Sequence, residues 1–189
     1  MDIPELHQRA VAEFGRRVSA IGDDQWGRPT PCAEWDVRAL VNHLVSEDRW
    51  TPPLMAGKTM GEVGDRFEGD LLGGEPKRAW DESSVEAVAA VHEPGAMERT
   101  VHLSFGDAVG REYAMQLFAD HLIHAWDLAR AIDGDERLDP RLVTACADWF
   151  SSMEETYRGA GVIGPAPPVP ADAEPQTSLL AKFGRDARA

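Results

Sequence analysis

Apolar residues recur at helical spacing in five segments of the chain. In the first, residues 3–21, apolar side chains return every three or four positions and mark one face of a helix. A second helix follows the candidate N-cap Asp36, and Pro52 and Pro53 are expected to end it. The two apolar stripes consist of Leu6, Ala10, Val11, Phe14, Val18 and Ile21, and of Val37, Leu40, Val41, Leu44 and Val45.

The middle of the chain has a less regular pattern. Residues 56–76 are rich in glycine and acidic residues and predict a long loop, which a helix over 81–92 follows. Residues 99–105 alternate in the manner of a short strand, with Gly106–Asp107 as the turn. One isolated strand cannot build a sheet of its own, so we expect at most a hairpin added to helices.

The C-terminal half begins with the most apolar helix, 111–132, which is apolar around most of its circumference and should be central. A fifth helix follows Pro140. Residues 159–175 are rich in proline, alanine and glycine and predict an extended tail, and 176–185 predict a short helix. The pattern predicts one mainly α-helical domain over 1–189: a four-helix bundle with a short β-hairpin or strand and a Pro-rich tail.

Charge and composition narrow the possible partners and the compartment. The formal net charge of −14 repels phosphate backbones, so we expect no nucleic-acid partner. No apolar run approaches the ~20 residues that cross a bilayer, and the first residues lack the apolar stretch of a secretory signal. Cys32 and Cys146 form neither a CxxC motif nor a disulfide framework. We therefore expect a reduced cytoplasmic protein without a membrane partner, either a monomer or a homodimer.

Three titratable residues on two helices suggest a metal site. His43 lies about 130° from the centre of the apolar stripe of its helix, where it could face a neighbouring helix. Asp120 and His124 are i, i+4 on the apolar helix, so one ion could bind both. A further imidazole would complete two histidines and one carboxylate with an open coordination position. The alternative is a solvated or hydrogen-bonded pair, but buried charge on so apolar a helix needs a partner.

Neighbouring residues could support this site. Glu47 shares the helical strip of His43 at i+4. Asp127 could hydrogen-bond the second nitrogen of a ligand histidine, with a salt bridge to Arg130 as the equal alternative. His121 points about 100° away from the Asp120 side chain, which favours a packed or hydrogen-bonded histidine over an alternative ligand.

The remaining candidates lie close to the two helices. Cys32 could reach a metal ion or react, although a small buried side chain is the favoured reading. Trp35 and Trp126 could form the wall of a pocket, although tryptophan at helical spacing is usually core. Three other histidines have no neighbours that suggest chemistry: His7, His92 and His102.

Three segments resemble motifs of a known family. "TPCAEWDVRALVNHL" (30–44), "DHLIHAWDLARAIDG" (120–134) and the C-terminal "LLAKFGRDA" are similar to motifs of the mycothiol-dependent maleylpyruvate isomerase N-terminal-like family. That family belongs to the DinB/YfiT-like metalloprotein superfamily. The resemblance implies a DinB-like four-helix bundle that holds a divalent metal, usually zinc, with three side chains from two helices.

Carried over by position, the resemblance implies the ligands His43, Asp120 and His124. This chain departs from the isomerase in two ways. The carboxylate ligand of the isomerase is Glu, one methylene longer than Asp120. A second, C-terminal domain contributes to catalysis there, and 189 residues leave no room for it. Maleylpyruvate isomerase activity is therefore not inherited from the resemblance.

The expected function follows from this ligand set and from the family. Two nitrogens and one carboxylate favour zinc, or nickel, over magnesium and calcium, which prefer all-oxygen shells. The resemblance implies mycothiol as a cosubstrate. We therefore expect a mycothiol-linked transferase or isomerase whose partners are a small-molecule thiol and a small electrophile. The alternative is a non-catalytic metal- or ligand-binding stress-response module of the same fold.

Overall fold

Helices account for most of the structure, a computed structural model that describes residues 1–159, 161 and 163–187. The chain divides into two units, Met1–Glu136 and Arg137–Ala189. The first unit contains, in order, α1 (Ile3–Ala20), α2 (Val37–Met55), α3 (Met60–Val63), α4 (Pro76–Val91), a 3-10 helix (Ala96–Glu98), β1 (Thr100–Leu103), β2 (Gly106–Val109) and α5 (Gly110–Ala131). The second unit contains α6 (Pro140–Phe150), α7 (Glu154–Gly159) and α8 (Pro175–Lys182).

The first unit is a four-helix bundle. Helix α1 packs against α4 and α5, and α2 packs against the same two helices, so the four form a closed ring. The predicted N-cap of α2 is confirmed, because the Asp36 side chain accepts a hydrogen bond from the Ala39 backbone N–H at 2.8 Å. The core between the helices includes the fully buried side chains of Phe14, Leu40, Leu44, Phe118, Leu122 and Leu128. The predicted fold class is therefore confirmed.

Two prolines near the end of α2 do not stop it, so the prediction that they would was wrong. The helix continues through Pro52 and Pro53 to Met55. The fixed φ of proline is a helical value, although each ring removes one N–H donor and crowds the carbonyl group one turn earlier. The proline carbonyls still accept hydrogen bonds from the backbone of Ala56 and Lys58, each at 3.0 Å.

The expected loop over 56–76 contains the short helix α3. Its start is a capping box in which the Glu62 carboxylate accepts from the Thr59 backbone N–H at 2.8 Å. Helix α4 begins at Pro76, five residues before the predicted start at Asp81. Proline suits the first position of a helix, where its missing N–H would have no partner.

The hairpin packs beside the bundle, on α2 and α5. Strands β1 and β2 are antiparallel, with Thr100 opposite Val109 and Leu103 opposite Gly106. The predicted turn was misplaced: residues 104–105 form it, and Gly106–Asp107 begin β2. Gly106 is the first residue of β2 and follows the turn. Its φ is +127°, a value that glycine adopts without a Cβ clash.

The second unit is built around α6 and α8, which pack against each other. Phe150 stacks on Phe183 with ring centroids 4.1 Å apart, and Cys146 is buried. Residues 164–170 have neither helix nor strand, but the predicted tail over 159–175 was too long, because its first residue ends α7 and its last begins α8. Residues 160 and 162 of the predicted tail lie outside the described residues. Among the described helices, none combines the length and the apolar character that crossing a membrane requires.

Candidate metal centre

Two helices of the first unit bring the three predicted ligands together. His43 lies on α2, and Asp120 and His124 lie one turn apart on α5. His43 Nε2 is 3.1 Å from Asp120 Oδ2, and His124 Nε2 is 3.3 Å from Asp120 Oδ1. The donor atoms of all three lie within 4.8 Å of one another. Two ligands of a tetrahedral zinc ion stand roughly 3.3 Å apart, so this spacing suits a single ion.

This cluster is partly open to solvent. The side chains of His43 and Asp120 are 26 % and 33 % exposed, whereas that of His124 is 8 % exposed. An ion held by these three side chains would therefore keep a coordination position that small molecules can reach. Three protein ligands with an open position are typical of catalytic zinc sites, whereas structural sites use four.

The buried carboxylate of Asp127 orients the ring of His124. Asp127 Oδ2 lies 2.8 Å from His124 Nδ1 and is fully buried. The carboxylate can only accept, so Nδ1 carries the proton and Nε2, the atom that faces Asp120, presents its lone pair in the neutral ring. The Cys32 thiol donates to the same Asp127 oxygen at 3.3 Å. The predicted supporting role of Asp127 thus has a geometry that fits it.

One tryptophan lines the cluster and the other does not. The half-buried Trp35 ring lies over His43, with centroids 4.7 Å apart, and 5.8 Å from the ring of His124. Trp126 is 1 % exposed and belongs to the core, as the sequence favoured. The Cys32 sulfur is 3.8 Å from His124 Nδ1, so the thiol also lies at the edge of the cluster.

Charge is concentrated on Asp120 and His124. Burial alone raises the pKa of Asp120, but its interactions with His124 and then with His43 hold it well below its usual value. Burial alone lowers the pKa of His124, but Asp120 raises it well above its usual value. Burial, and then the charge of Asp120, raises the pKa of Glu47, which lies one turn beyond His43. Without a metal the cluster therefore holds a carboxylate–imidazolium pair, so metal binding would displace a proton.

His121 points away from this cluster, as its helical angle predicted. Its Nδ1 donates to the Leu117 carbonyl oxygen at 2.8 Å, and its Nε2 is 3.2 Å from Asp48 Oδ1. His7 is also fully buried, and one of its ring nitrogens lies within 4.8 Å of donor atoms of Asp48 and His121. Burial and then His121 lower the pKa of His7, and burial raises the pKa of Asp48.

The prediction that His7 has no neighbours that suggest chemistry was wrong, and Asp48 was not predicted at all, although the sequence held a signal for both. His7 lies three positions before Ala10 and seven before Phe14, two residues of the apolar stripe of α1. Asp48 lies at i+4 from Leu44 on the stripe of α2. A polar residue on an otherwise apolar stripe is buried with it and must find a partner, so both positions qualified as candidates.

Comparison with known proteins adds three findings. A family model described as the mycothiol maleylpyruvate isomerase N-terminal domain matches residues 7–129. Two uncharacterized proteins of Mycobacterium tuberculosis, MT0763 and Rv0738, are each 31 % identical over 194 residues, which cover all of this chain and all of theirs. The crystal structure of a mutant of the mycothiol-dependent maleylpyruvate isomerase superposes with a TM-score of 0.67 at 15 % identity, covering 88 % of this chain and 75 % of that one. The last likeness shows the fold: a DinB-like helical bundle with a small antiparallel sheet.

Proposed function

Because this chain belongs to the family of the mycothiol maleylpyruvate isomerase N-terminal domain, we propose that it is a metal-dependent thiol transferase or isomerase. The observation that carries the proposal is the convergence of His43, Asp120 and His124 in a partly exposed cluster. All three residues lie within the matched segment 7–129. A site with this donor set and this exposure is typical of metal-assisted chemistry on a small molecule.

The donor set selects the class of metal. His43, Asp120 and His124 offer two imidazole nitrogens and one carboxylate, which suit zinc or nickel better than magnesium or calcium. These three residues would hold a divalent ion, which would lower the pKa of a bound thiol or water and so supply a nucleophile at neutral pH.

The protein's own residues prepare the site for that chemistry. Asp127 holds the proton of His124 on Nδ1 and so fixes the ring with Nε2 toward Asp120. The Trp35 ring packs against the His43 ring, with centroids 4.7 Å apart, and so restrains its orientation. Glu47, whose pKa burial raises, is the neighbouring carboxyl group that can take up a proton released from the thiol.

We propose mycothiol as the thiol and a small electrophile as the second substrate. The family and the structurally similar enzyme are both named for mycothiol. The chain's charge of −14 fits this assignment to small-molecule partners, since it opposes binding to nucleic acid.

The test combines metal analysis with a thiol-consumption assay. Protein purified without a His-tag is assayed for bound zinc and nickel, and for loss of an electrophile with and without mycothiol. Wild type should hold metal and consume the electrophile only when mycothiol is present. The variants His43→Ala and His124→Ala should lose the metal of the partly exposed site and the mycothiol-dependent activity, because each removes a ligand. The matched control is His102→Ala, which removes a histidine paired with Asp107 in the hairpin.

Two outcomes would count against the proposal. Full metal occupancy of the partly exposed site in both ligand variants would show that the site is misassigned. Equal thiol loss from wild type and from His43→Ala would favour the non-catalytic binding module, because the metal would then contribute nothing to turnover.

A further inference from the structure

Three fully buried polar side chains meet inside the four-helix bundle. His7 of α1, Asp48 of α2 and His121 of α5 are each 0 % exposed. Their candidate donor atoms lie within 4.8 Å of one another. The rings of His7 and His121 meet edge to face with centroids 5.5 Å apart. We call these three residues the buried cluster; it has the same donor types as the partly exposed site but no opening to solvent.

Several polar atoms of the buried cluster make no hydrogen bond of good geometry within the described part of the chain. Both nitrogens of His7, both carboxylate oxygens of Asp48 and Nε2 of His121 have no hydrogen bond of acceptable geometry among the described residues. The Ser83 hydroxyl lies close enough to lower the pKa of Asp48, which burial raises, and it donates to the Trp80 carbonyl oxygen at 3.2 Å. Buried polar atoms without partners strongly destabilise a fold, so a species that satisfies several acceptors at once is expected here.

The orientation of His121 indicates which species that is. Its Nδ1 lies 2.8 Å from the Leu117 carbonyl oxygen, which can only accept, so Nδ1 carries the proton. In the neutral ring, Nε2 then directs a lone pair into the buried cluster, where Asp48 Oδ1 lies 3.2 Å away. Burial alone lowers the pKa of His121, but Asp48 raises it above its usual value, although the contact between Nε2 and Oδ1 does not have hydrogen-bond geometry. A metal ion need not lie on the line between His121 Nε2 and Asp48 Oδ1. It can bind both atoms from one side of that line.

The geometry points to a second, structural metal site in which His7, Asp48 and His121 bind a divalent ion such as zinc. One nitrogen from each histidine and one oxygen of Asp48 supply three ligand atoms within 4.8 Å of one another, and imidazole and carboxylate are both ligands that zinc uses. Imidazole and carboxylate ligands select this class of metal over magnesium and calcium. The ion would join α1, α2 and α5. This inference does not rest on the proposed function, because it concerns different side chains.

The test is zinc stoichiometry after folding in the presence of zinc. Because the buried cluster is closed, the full-length protein is unfolded in urea with a chelator, dialysed, refolded with zinc and freed of excess metal. Wild type should retain about two zinc ions per chain, and the His43→Ala/His124→Ala variant about one. A variant with His7→Leu and Asp48→Asn should retain about one ion, in the partly exposed site. The matched control is Asp107→Asn, the same chemical change in the exposed hairpin.

Each result decides between the two sites. Loss of all zinc from the His43→Ala/His124→Ala variant, or zinc content unchanged by His7→Leu with Asp48→Asn, would overturn the inference. Zinc that survives only in the buried cluster would support it while refuting the proposed function. Should a variant fail to refold, anomalous scattering from crystals of zinc-refolded wild type decides: a zinc peak among His7, Asp48 and His121 is expected, and its absence overturns the second site.

Discussion

At the residue scale, Asp127 is the side chain on which the chemistry of His124 depends. Its oxygen faces His124 Nδ1 at 2.8 Å and also accepts from the Cys32 thiol at 3.3 Å. An ionised carboxylate has no proton to donate, so only one tautomer of the imidazole satisfies this contact. The spacing of the two residues on α5 already suggested the contact, but the sequence could not exclude a salt bridge to Arg130 instead.

We predict that Asp127→Asn weakens zinc binding about 10- to 100-fold. The asparagine amide can donate to Nδ1, which favours the tautomer with its proton on Nε2 and removes the lone pair that binds the metal. Competition with a chromophoric chelator measures the affinity. The matched control is Asp133→Asn, at a surface ion pair with Arg28, which should leave the affinity unchanged. An Asp127→Asn protein with wild-type affinity would show that the carboxylate does not orient the ligand.

The two cysteines should differ in reactivity. Burial raises the pKa of Cys146 to about 12, so its thiolate is scarce at neutral pH, whereas Cys32 is only half-buried. We predict one reactive thiol per folded chain toward a disulfide reagent and two in denaturant, and Cys32→Ser should abolish the native reaction. If Cys32→Ser protein still reacts while folded, Cys146 is accessible and its assignment to the core is wrong.

At the element scale, the start of α5 is fixed by a close contact with the 3-10 helix at Ala96–Glu98. A Cβ built on Gly110, the first residue of α5, would lie 1.9 Å from the Ala96 carbonyl oxygen. We predict that Gly110→Ala lowers the free energy of unfolding by on the order of 2–4 kcal/mol, because backbone must move to relieve the clash. Gly27→Ala is the matched control, since its Cβ would meet nothing within 4 Å. Urea unfolding checks both, and equal stabilities would contradict the close approach.

Zinc in the partly exposed site should stabilise the bundle by joining α2 to α5. A ligand at a hundredfold excess over its Kd adds about 2.7 kcal/mol to the stability of the folded state. For a chain of this size, we expect the zinc-loaded protein to unfold roughly 5–10 °C above the chelated one. His124→Ala should lose most of this difference and His102→Ala should keep it. A Tm of wild type that does not respond to added zinc would argue against the cross-link.

Helical periodicity predicted α1, α2, α5 and α6, because each carries an apolar stripe long enough to distinguish a helix from a strand. Periodicity did not predict the short helix α3 or the end of α2, where capping and proline residues determine the bounds. The capping box that starts α3 spans only four residues, and α2 continues for three residues beyond Pro52 although proline there removes a backbone donor. A proline or a capping residue is compatible with more than one local structure. Such residues therefore predict where a helix ends less accurately than periodicity predicts that a helix is present.

At the scale of the whole molecule, the site depends on which helices become neighbours. Spacing on α5 placed Asp120 beside His124, but no periodicity could show that His43 of α2 faces them. The family motifs supplied that pairing, and the helix packing now provides the geometry. The buried cluster escaped prediction for the same reason: His7 and Asp48 lie 41 positions apart in the sequence, and only the packing of the helices brings them together.

The net charge of −14 should itself limit the stability of the protein. Like charges repel across the folded surface, whereas exposed ion pairs such as Arg78–Glu82 contribute little. Raising NaCl from roughly 0.02 to 0.5 M shortens the Debye length from about 20 to about 4 Å and screens the repulsion. We predict that the Tm of metal-free protein rises by a few degrees at about pH 7 under this change. At about pH 5, near the sequence pI of about 4.7, the same salt should have little effect, because the net charge is then small. A Tm that falls with salt at neutral pH would show instead that attractive surface pairs outweigh the repulsion.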